Sequence, residues 1–240
     1  MSEYTAVRAS PFARTCQASH LLSHALRHVN DSYGDVKLHY EEAIQLHRTI
    51  DTFSLALSHE LNDINGAVRD WTHTCSHFTA MAICYSAQIT LYDTHWCADA
   101  DAIRGVGIPE QLEMQQISIN GIKSACLAVH KLAKMISEAA QIGDMCRVNP
   151  LTTDCLYQAS MLLHSYIRET GNNEYAQAVI DIVQVLKVLA GIWDVASKVF
   201  TSCAAVRTIF ANYYAEEYLD MLDIEGLGLD EQLIEPLLFW

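Results

Sequence analysis

Apolar residues recur at three- and four-residue steps through most of this chain, and no segment shows the alternating pattern of a β-strand. The helical period covers residues 11–30, 37–62, 67–92 and 109–143. Only 10 glycines and 4 prolines interrupt the chain, which favours long helices. The pattern predicts an all-α protein, with a single compact domain of roughly eight helices over residues 1–215 and a separate tail over residues 216–240.

Residues 149–200 show the clearest pattern, two apolar stripes separated by a turn. Pro150 and a capping Thr or Asp after it predict the start of a helix. Gly171 predicts its end, because glycine tolerates the left-handed conformation of a helix C-cap. The second stripe runs through Trp193 to Phe200, which predicts a helix of about six turns that carries Trp193 as a core residue.

Composition indicates a large apolar core and a reducing environment. The 240 residues are 51% hydrophobic and 18% charged, a low charged fraction for a soluble chain. No apolar run reaches membrane-spanning length, and the first residues lack the apolar core of a secretory signal. We therefore expect an intracellular protein without membrane contact, whose 8 cysteines are thiols and not a disulfide framework.

The net charge of −14 argues against direct contact with nucleic acid. DNA affinity comes largely from clustered Lys and Arg that neutralise phosphates, and the 15 basic residues here form no cluster. None of the cysteines falls in a C-x-x-C pair, the spacing typical of structural zinc sites. The sequence therefore predicts neither DNA binding nor a structural zinc ion.

Several residues in the 149–200 segment carry a family resemblance. They are Pro150, the run 155–160, the run 168–172, and then Leu186, Leu189, Trp193 and Ala196. In order and spacing they resemble the C-terminal part of the regulatory domain of fungal transcription factors of the binuclear zinc-cluster class. Since the chain lacks the cysteine pairs of that DNA-binding module, it is either an excised regulatory domain or a protein without the module.

The resemblance implies a non-enzymatic domain that senses an effector and controls transcription by RNA polymerase II. It implies residence in the nucleus, with shuttling to the cytoplasm, and a transcriptional coactivator or corepressor as partner. A small-molecule effector and a homodimer are also implied. An all-α ligand-binding module of another lineage and an enzyme with an unfamiliar site remain as alternatives.

Two groups of residues are candidates for these roles. Aromatic residues on the apolar helical stripes are candidates for an apolar effector pocket, although ordinary core packing is the favoured interpretation; they are Trp71, Phe78, Tyr85 and Trp193. The tail mixes acids with large apolar residues, the composition of activation segments, and the alternative is a terminal helix that docks on the domain. The candidate activation residues are Leu219, Leu222, Leu233, Leu237, Leu238, Phe239 and Trp240.

We find no pattern of catalysis or metal binding that outweighs a structural interpretation. Glycine-rich phosphate loops, G-x-S-x-G and H-E-x-x-H are absent. His20, His24 and His28 recur at four-residue steps, which suits a metal, but the sequence favours a polar helix face. Cys155 lies in an apolar helix, which predicts an inert thiol. The sequence therefore predicts no catalytic residue, metal ligand or cofactor.

Overall fold

The computed structural model describes residues 9–31, 35–64, 71–96, 108–142, 148–193 and 198. Within these ranges there are six α-helices and one short 3-10 helix, and no strand. The helices are α1 (Pro11–Asn30), α2 (Val36–Ile64), α3 (Trp71–His95), α4 (Pro109–Gln141), α5 (Thr152–Thr170), the 3-10 helix (Asn173–Tyr175) and α6 (Ala176–Ala190). The all-α prediction is confirmed.

The described part of the chain holds six α-helices, fewer than the roughly eight that the sequence predicted. Helices α2, α3 and α4 contain 29, 25 and 33 residues, close to the predicted lengths, and the prediction of eight covered residues 1–215, part of which lies outside the described residues. None of the helices in the described ranges is both long and apolar enough to cross a membrane.

Helix α3 is the centre of the described fold, in contact with α1, α2, α4 and α5. Because four helices pack around α3, most of its side chains are buried, including many outside the aromatic stripe of Trp71, Phe78 and Tyr85. Phe78, Leu91 and Tyr92 are fully buried, and so are polar residues such as His77 and Gln88. The core therefore accepts polar side chains along α3.

Helix α4 passes close to α3 at Gly121. A Cβ atom at Gly121 would lie 2.6 Å from Cε2 of Tyr92, closer than real Cβ contacts allow. The Tyr92 hydroxyl in turn lies 2.9 Å from Nδ1 of His47 on α2. The glycine thus lets the Tyr92 ring fill the seam between α3 and α4.

The ends of α5 and α6 follow from local chemistry. Gly171 has φ +65°, and its N–H donates to the Ile167 carbonyl, so the predicted left-handed cap is confirmed. Helix α6 ends at Ala190, and the predicted continuation of that helix through Trp193 is wrong. Beyond Ala190 the regular pattern gives way to a turn in which the Ile192 and Trp193 N–H groups both donate to the Leu189 carbonyl.

Candidate functional site

Three histidines meet where the end of α1, the first turn of α2 and the end of α3 come together. His28 lies two residues before the end of α1, His39 lies in the first turn of α2, and His95 is the last residue of α3. Among the described residues they form a group whose ligand nitrogens all lie within 4.8 Å of one another. We call His28, His39 and His95 the histidine corner.

Local sequence places two of these side chains opposite each other. Helix α1 ends at Asn30 with Asp31 as its C-cap, and the Asp35 carboxylate accepts hydrogen bonds from the Lys37 and Leu38 N–H groups at the start of α2. A connection this short makes α1 and α2 neighbours in contact. His28 and His39, close to the turn on either side, therefore approach each other, and the packing of α3 against α1 brings in His95.

The geometry of the histidine corner is centred on His28, which is buried. Its Nδ1 lies 3.1 Å from Oε2 of Glu42, and its Nε2 lies 3.2 Å from Nε2 of His95. The His39 ring stacks on the His28 ring, with centroids 4.2 Å apart and an interplanar angle of 11°. Tyr40 presents its ring to His95 at a steep angle, with centroids 5.6 Å apart. Each imidazole therefore touches at least one other.

Electrostatics favour the neutral form of the His39 and His95 rings. Burial, together with the charges of His28 and His39, lowers the pKa of His95 to about 4. Burial and the charge of His28 also lower the pKa of His39, against the opposing effect of Glu42. Neutral imidazoles retain a lone pair on one nitrogen, which is the form that binds a metal.

The structure corrects the predicted ladder on α1. His20 is exposed and His24 is partly exposed, with Nε2 atoms 3.2 Å apart, as expected for a polar helix face. His28 is instead buried, because α2 and α3 cover the last turns of α1. Glu42 of α2 also lies beside His28, a contact between helices that the spacing along α1 does not show.

Sequence reasoning missed His39 and His95. The sequence does contain a signal for His39. His28 and His39 lie at similar distances from the short connection between α1 and α2, and such a connection brings the two side chains close together. His95 carried no such signal, since it lies 67 positions from His28 and meets it only through tertiary packing.

The predicted pocket residues occupy different environments. Phe78 and Tyr85 are buried within α3, whereas Trp71 and Trp193 are partly exposed. The Trp193 indole N–H donates to the Val148 carbonyl at 3.1 Å, so this ring ties the end of α6 to the segment before α5. The candidate activation residues between Leu219 and Trp240 lie outside the described residues.

An open groove of about 300 Å³ lies between α4 and α6, and none of the four predicted pocket residues lines it. Its lining is Ile136, Ser137, Ala140, Gln184, Val185, Lys187 and Val188. The lining mixes apolar side chains with a serine, a glutamine and a lysine.

A second polar cluster joins the same two helices near the groove. His130 Nε2 lies 2.7 Å from Oδ2 of Asp181, and Lys134 Nζ lies 3.8 Å from the same oxygen. Gln177 donates to the other carboxylate oxygen at 2.7 Å. Burial raises the pKa of Asp181, but the hydrogen bonds and nearby positive charge outweigh it, so the net shift is downward.

The buried cysteines are poor nucleophiles. Burial raises the pKa of Cys84 and of Cys126 to about 12, and it raises the pKa of Cys155 as well. Since the thiolate is the reactive form, these thiols are inert at neutral pH. Cys155 is buried as the apolar helix pattern predicted, and its lack of reactivity stays a prediction.

Comparison with known proteins yields no match: no family model, curated protein or solved structure is detectably similar to this chain. The resemblance to the fungal regulatory domain therefore stays a prediction that depends on the residues quoted for it.

Proposed function

We propose that this chain is a non-enzymatic regulatory domain of a transcription factor that controls RNA polymerase II in the nucleus. The supporting observation is where the resemblance falls in the fold. Five of its apolar members, Cys155, Leu156, Ala159, Leu186 and Leu189, are buried in the α5–α6 hairpin, whereas Trp193 is partly exposed and Ala196 lies outside the described residues. Its turn, Gly171-Asn172, forms the helix cap between the two helices.

Regulation in this proposal works through protein partners. With a net charge of −14 the chain repels nucleic acid, so DNA contact is left to another module or another protein. The acidic and hydrophobic tail supplies the contact with a coactivator or corepressor, as a short amphipathic helix laid in a groove. A homodimer and shuttling between nucleus and cytoplasm belong to the same proposal.

The test is to tether the full chain to DNA through an unrelated DNA-binding module and to measure a reporter gene. A rise in output indicates an activator and a fall indicates a repressor, and either supports the proposal. Truncation after Glu235, which removes Leu237, Leu238, Phe239 and Trp240, should reduce the effect while circular dichroism shows a folded domain. Reporter output equal to that of the DNA-binding module alone would contradict the proposal.

A second candidate function, a helical module that binds a small molecule without a role in transcription, is favoured by the groove between α4 and α6. Val188 is exposed on its wall, so Val188→Trp would fill the groove without entering the core. A thermal-shift screen against metabolites should find a ligand whose stabilisation the Val188→Trp variant abolishes. Val36→Trp, at another exposed valine, is the matched control that should leave binding unchanged.

A further inference from the structure

We propose that the histidine corner is a binding site for one divalent transition metal ion, zinc above all, with His28, His39 and His95 as ligands. The proposal is independent of the function proposed above. It runs against the sequence-based prediction of no metal ligand, which considered only cysteine spacing and histidines along a single helix.

The distance between two of the ligand atoms fits a shared metal ion. Zinc binds histidine nitrogens at about 2.0–2.1 Å in tetrahedral geometry, so two such nitrogens lie about 3.4 Å apart. The Nε2 atoms of His28 and His95 are 3.2 Å apart and face each other. Without a metal, one of these nitrogens has to carry the proton that the other accepts. A zinc ion in place of that proton keeps nearly the same nitrogen–nitrogen distance, and each ring turns so that its lone pair points at the ion.

Glu42 orients His28 for this role. Its carboxylate oxygen lies 3.1 Å from Nδ1 of His28, so the Nδ1–H donates to Glu42 and the lone pair is left on Nε2. A carboxylate on the outer nitrogen of a metal-binding histidine is the usual supporting contact, since it fixes the tautomer and raises the basicity of the ligand. Glu42 is thus a positioning residue, and the direct ligands are the imidazoles.

His39 supplies the third nitrogen. Its ligand atom lies within 4.8 Å of those of His28 and His95, while its ring stacks on His28. Convergence on a metal requires the His39 ring to turn about its Cβ–Cγ bond and leave its stack on His28, and the side chain is partly exposed. Three histidines leave the fourth position of a tetrahedral ion for a water molecule.

The ligand set also selects among metals. Imidazole nitrogens suit zinc, copper, nickel and iron, whereas magnesium and calcium prefer carboxylate and carbonyl oxygens.

The same helix carries a matched control. His20 and His24 have Nε2 atoms 3.2 Å apart, the same separation as in the histidine corner. They are neighbours on one helix face, and they belong to no group of three ligand residues within the described part of the chain. The two histidine sets therefore differ in the third ligand and the burial but not in the nitrogen–nitrogen distance.

The experiment is a zinc titration of the full chain after treatment with a chelator, read by competition with a chromogenic chelator. We expect one tight zinc ion per chain. His39→Gln and His95→Gln should each weaken binding by about 100-fold or more, and Glu42→Gln by about 10- to 100-fold. The double variant His20→Gln with His24→Gln should bind zinc as the unmodified chain does. Cobalt in place of zinc should show the intense visible absorption of a four-coordinate ion.

X-ray absorption on the zinc-loaded unmodified chain gives a test that no folding defect can obscure. Three imidazole ligands at about 2.0 Å would support the proposal. Two imidazoles, or tight binding that the His20 and His24 double variant abolishes, would assign the metal to the surface pair and overturn it. Absence of tight zinc binding to the unmodified chain would overturn it as well.

Discussion

Two contacts between a histidine and a carboxylate, one at the histidine corner and one beside the groove, each join a pair of helices but lie in different surroundings. His28 and Glu42 join α1 to α2 with a 3.1 Å contact, and the His28 side chain has no exposed surface. His130 and Asp181 join α4 to α6 with a 2.7 Å contact, and both side chains keep some exposure, 16% and 22%.

The difference lies in what else surrounds each pair. The neighbours whose charge bears on His95 at the histidine corner are other imidazoles, which disfavour protonation. The neighbours of Asp181 are Lys134 and Gln177, which favour a charged carboxylate. The first arrangement suits neutral nitrogen donors, and the second suits an ordinary ion pair near solvent. A histidine–carboxylate contact can therefore have different chemical roles, depending on how deeply it is buried and which side chains surround it.

The largest expected effect separates the two contacts by stability. We expect His28→Ala to lower the free energy of unfolding by about 3 kcal/mol, because it opens a cavity and removes the partner of His95 in the interior. His130→Ala, at a partly exposed pair, should cost less than about 1 kcal/mol. Urea denaturation at pH 7 with a chelator present measures both. Equal losses would show that burial does not distinguish the contacts.

The next effect is a pH dependence specific to the histidine corner. The folded chain holds the pKa of His95 at about 4, below its usual value of 6.5, so between these values the unfolded chain binds a proton that the folded chain does not. Stability therefore falls as the pH falls through this window, by about 2 kcal/mol between pH 7 and pH 5.

The control for this pH dependence is the His95→Gln variant. The pKa values of His47 and His164 are lowered by burial too, so the unmodified chain alone does not isolate the contribution of His95. The difference in urea stability between pH 7 and pH 5 should shrink by about 2 kcal/mol in His95→Gln. An undiminished pH dependence would show that His95 does not resist protonation in the folded state.

A smaller effect is expected where α3, which carries His95, passes α4, which carries His130. Gly121→Ala gains about 0.5–1 kcal/mol of helix propensity but forces a Cβ against the Tyr92 ring, so we expect a net loss of about 1 kcal/mol. Gly191→Ala is the control, since its Cβ would meet nothing closer than a carbonyl oxygen at 3.5 Å. Thermal unfolding compares the two. If Gly121→Ala raised the stability, the contact between α3 and α4 would have room for a Cβ atom beside Tyr92.

The smallest effect concerns salt. Asp181→Asn should lower stability by less than about 1 kcal/mol at low ionic strength, and the loss should shrink in 1 M salt because the pair lies near solvent. The loss from His28→Ala should stay the same in salt, since it depends on packing and a buried hydrogen bond. If the stability loss from Asp181→Asn did not change with salt, the His130–Asp181 contact would not differ from the His28–Glu42 contact in its exposure to solvent.

Sequence predicted the helices better than it predicted the site. The bounds of α1, the start of α4 at Pro109 and the Gly171 cap all follow from residues within one or two turns of the element. The end of α6 was missed because the apolar stripe continues past Gly191, while the chain leaves the helix there. Periodicity shows which residues can share a helix face, but it does not show where the hydrogen-bond ladder stops.

The histidine corner shows the limit of the same reasoning at longer range. Periodicity put His20, His24 and His28 on one face of α1, but burial separated His28 from the other two. By itself the sequence determined the helical class, the local caps, the charge and the set of histidines available. Only the tertiary structure decided that His28, His39 and His95 meet, because contacts between residues 67 positions apart depend on how whole helices pack and not on any local preference.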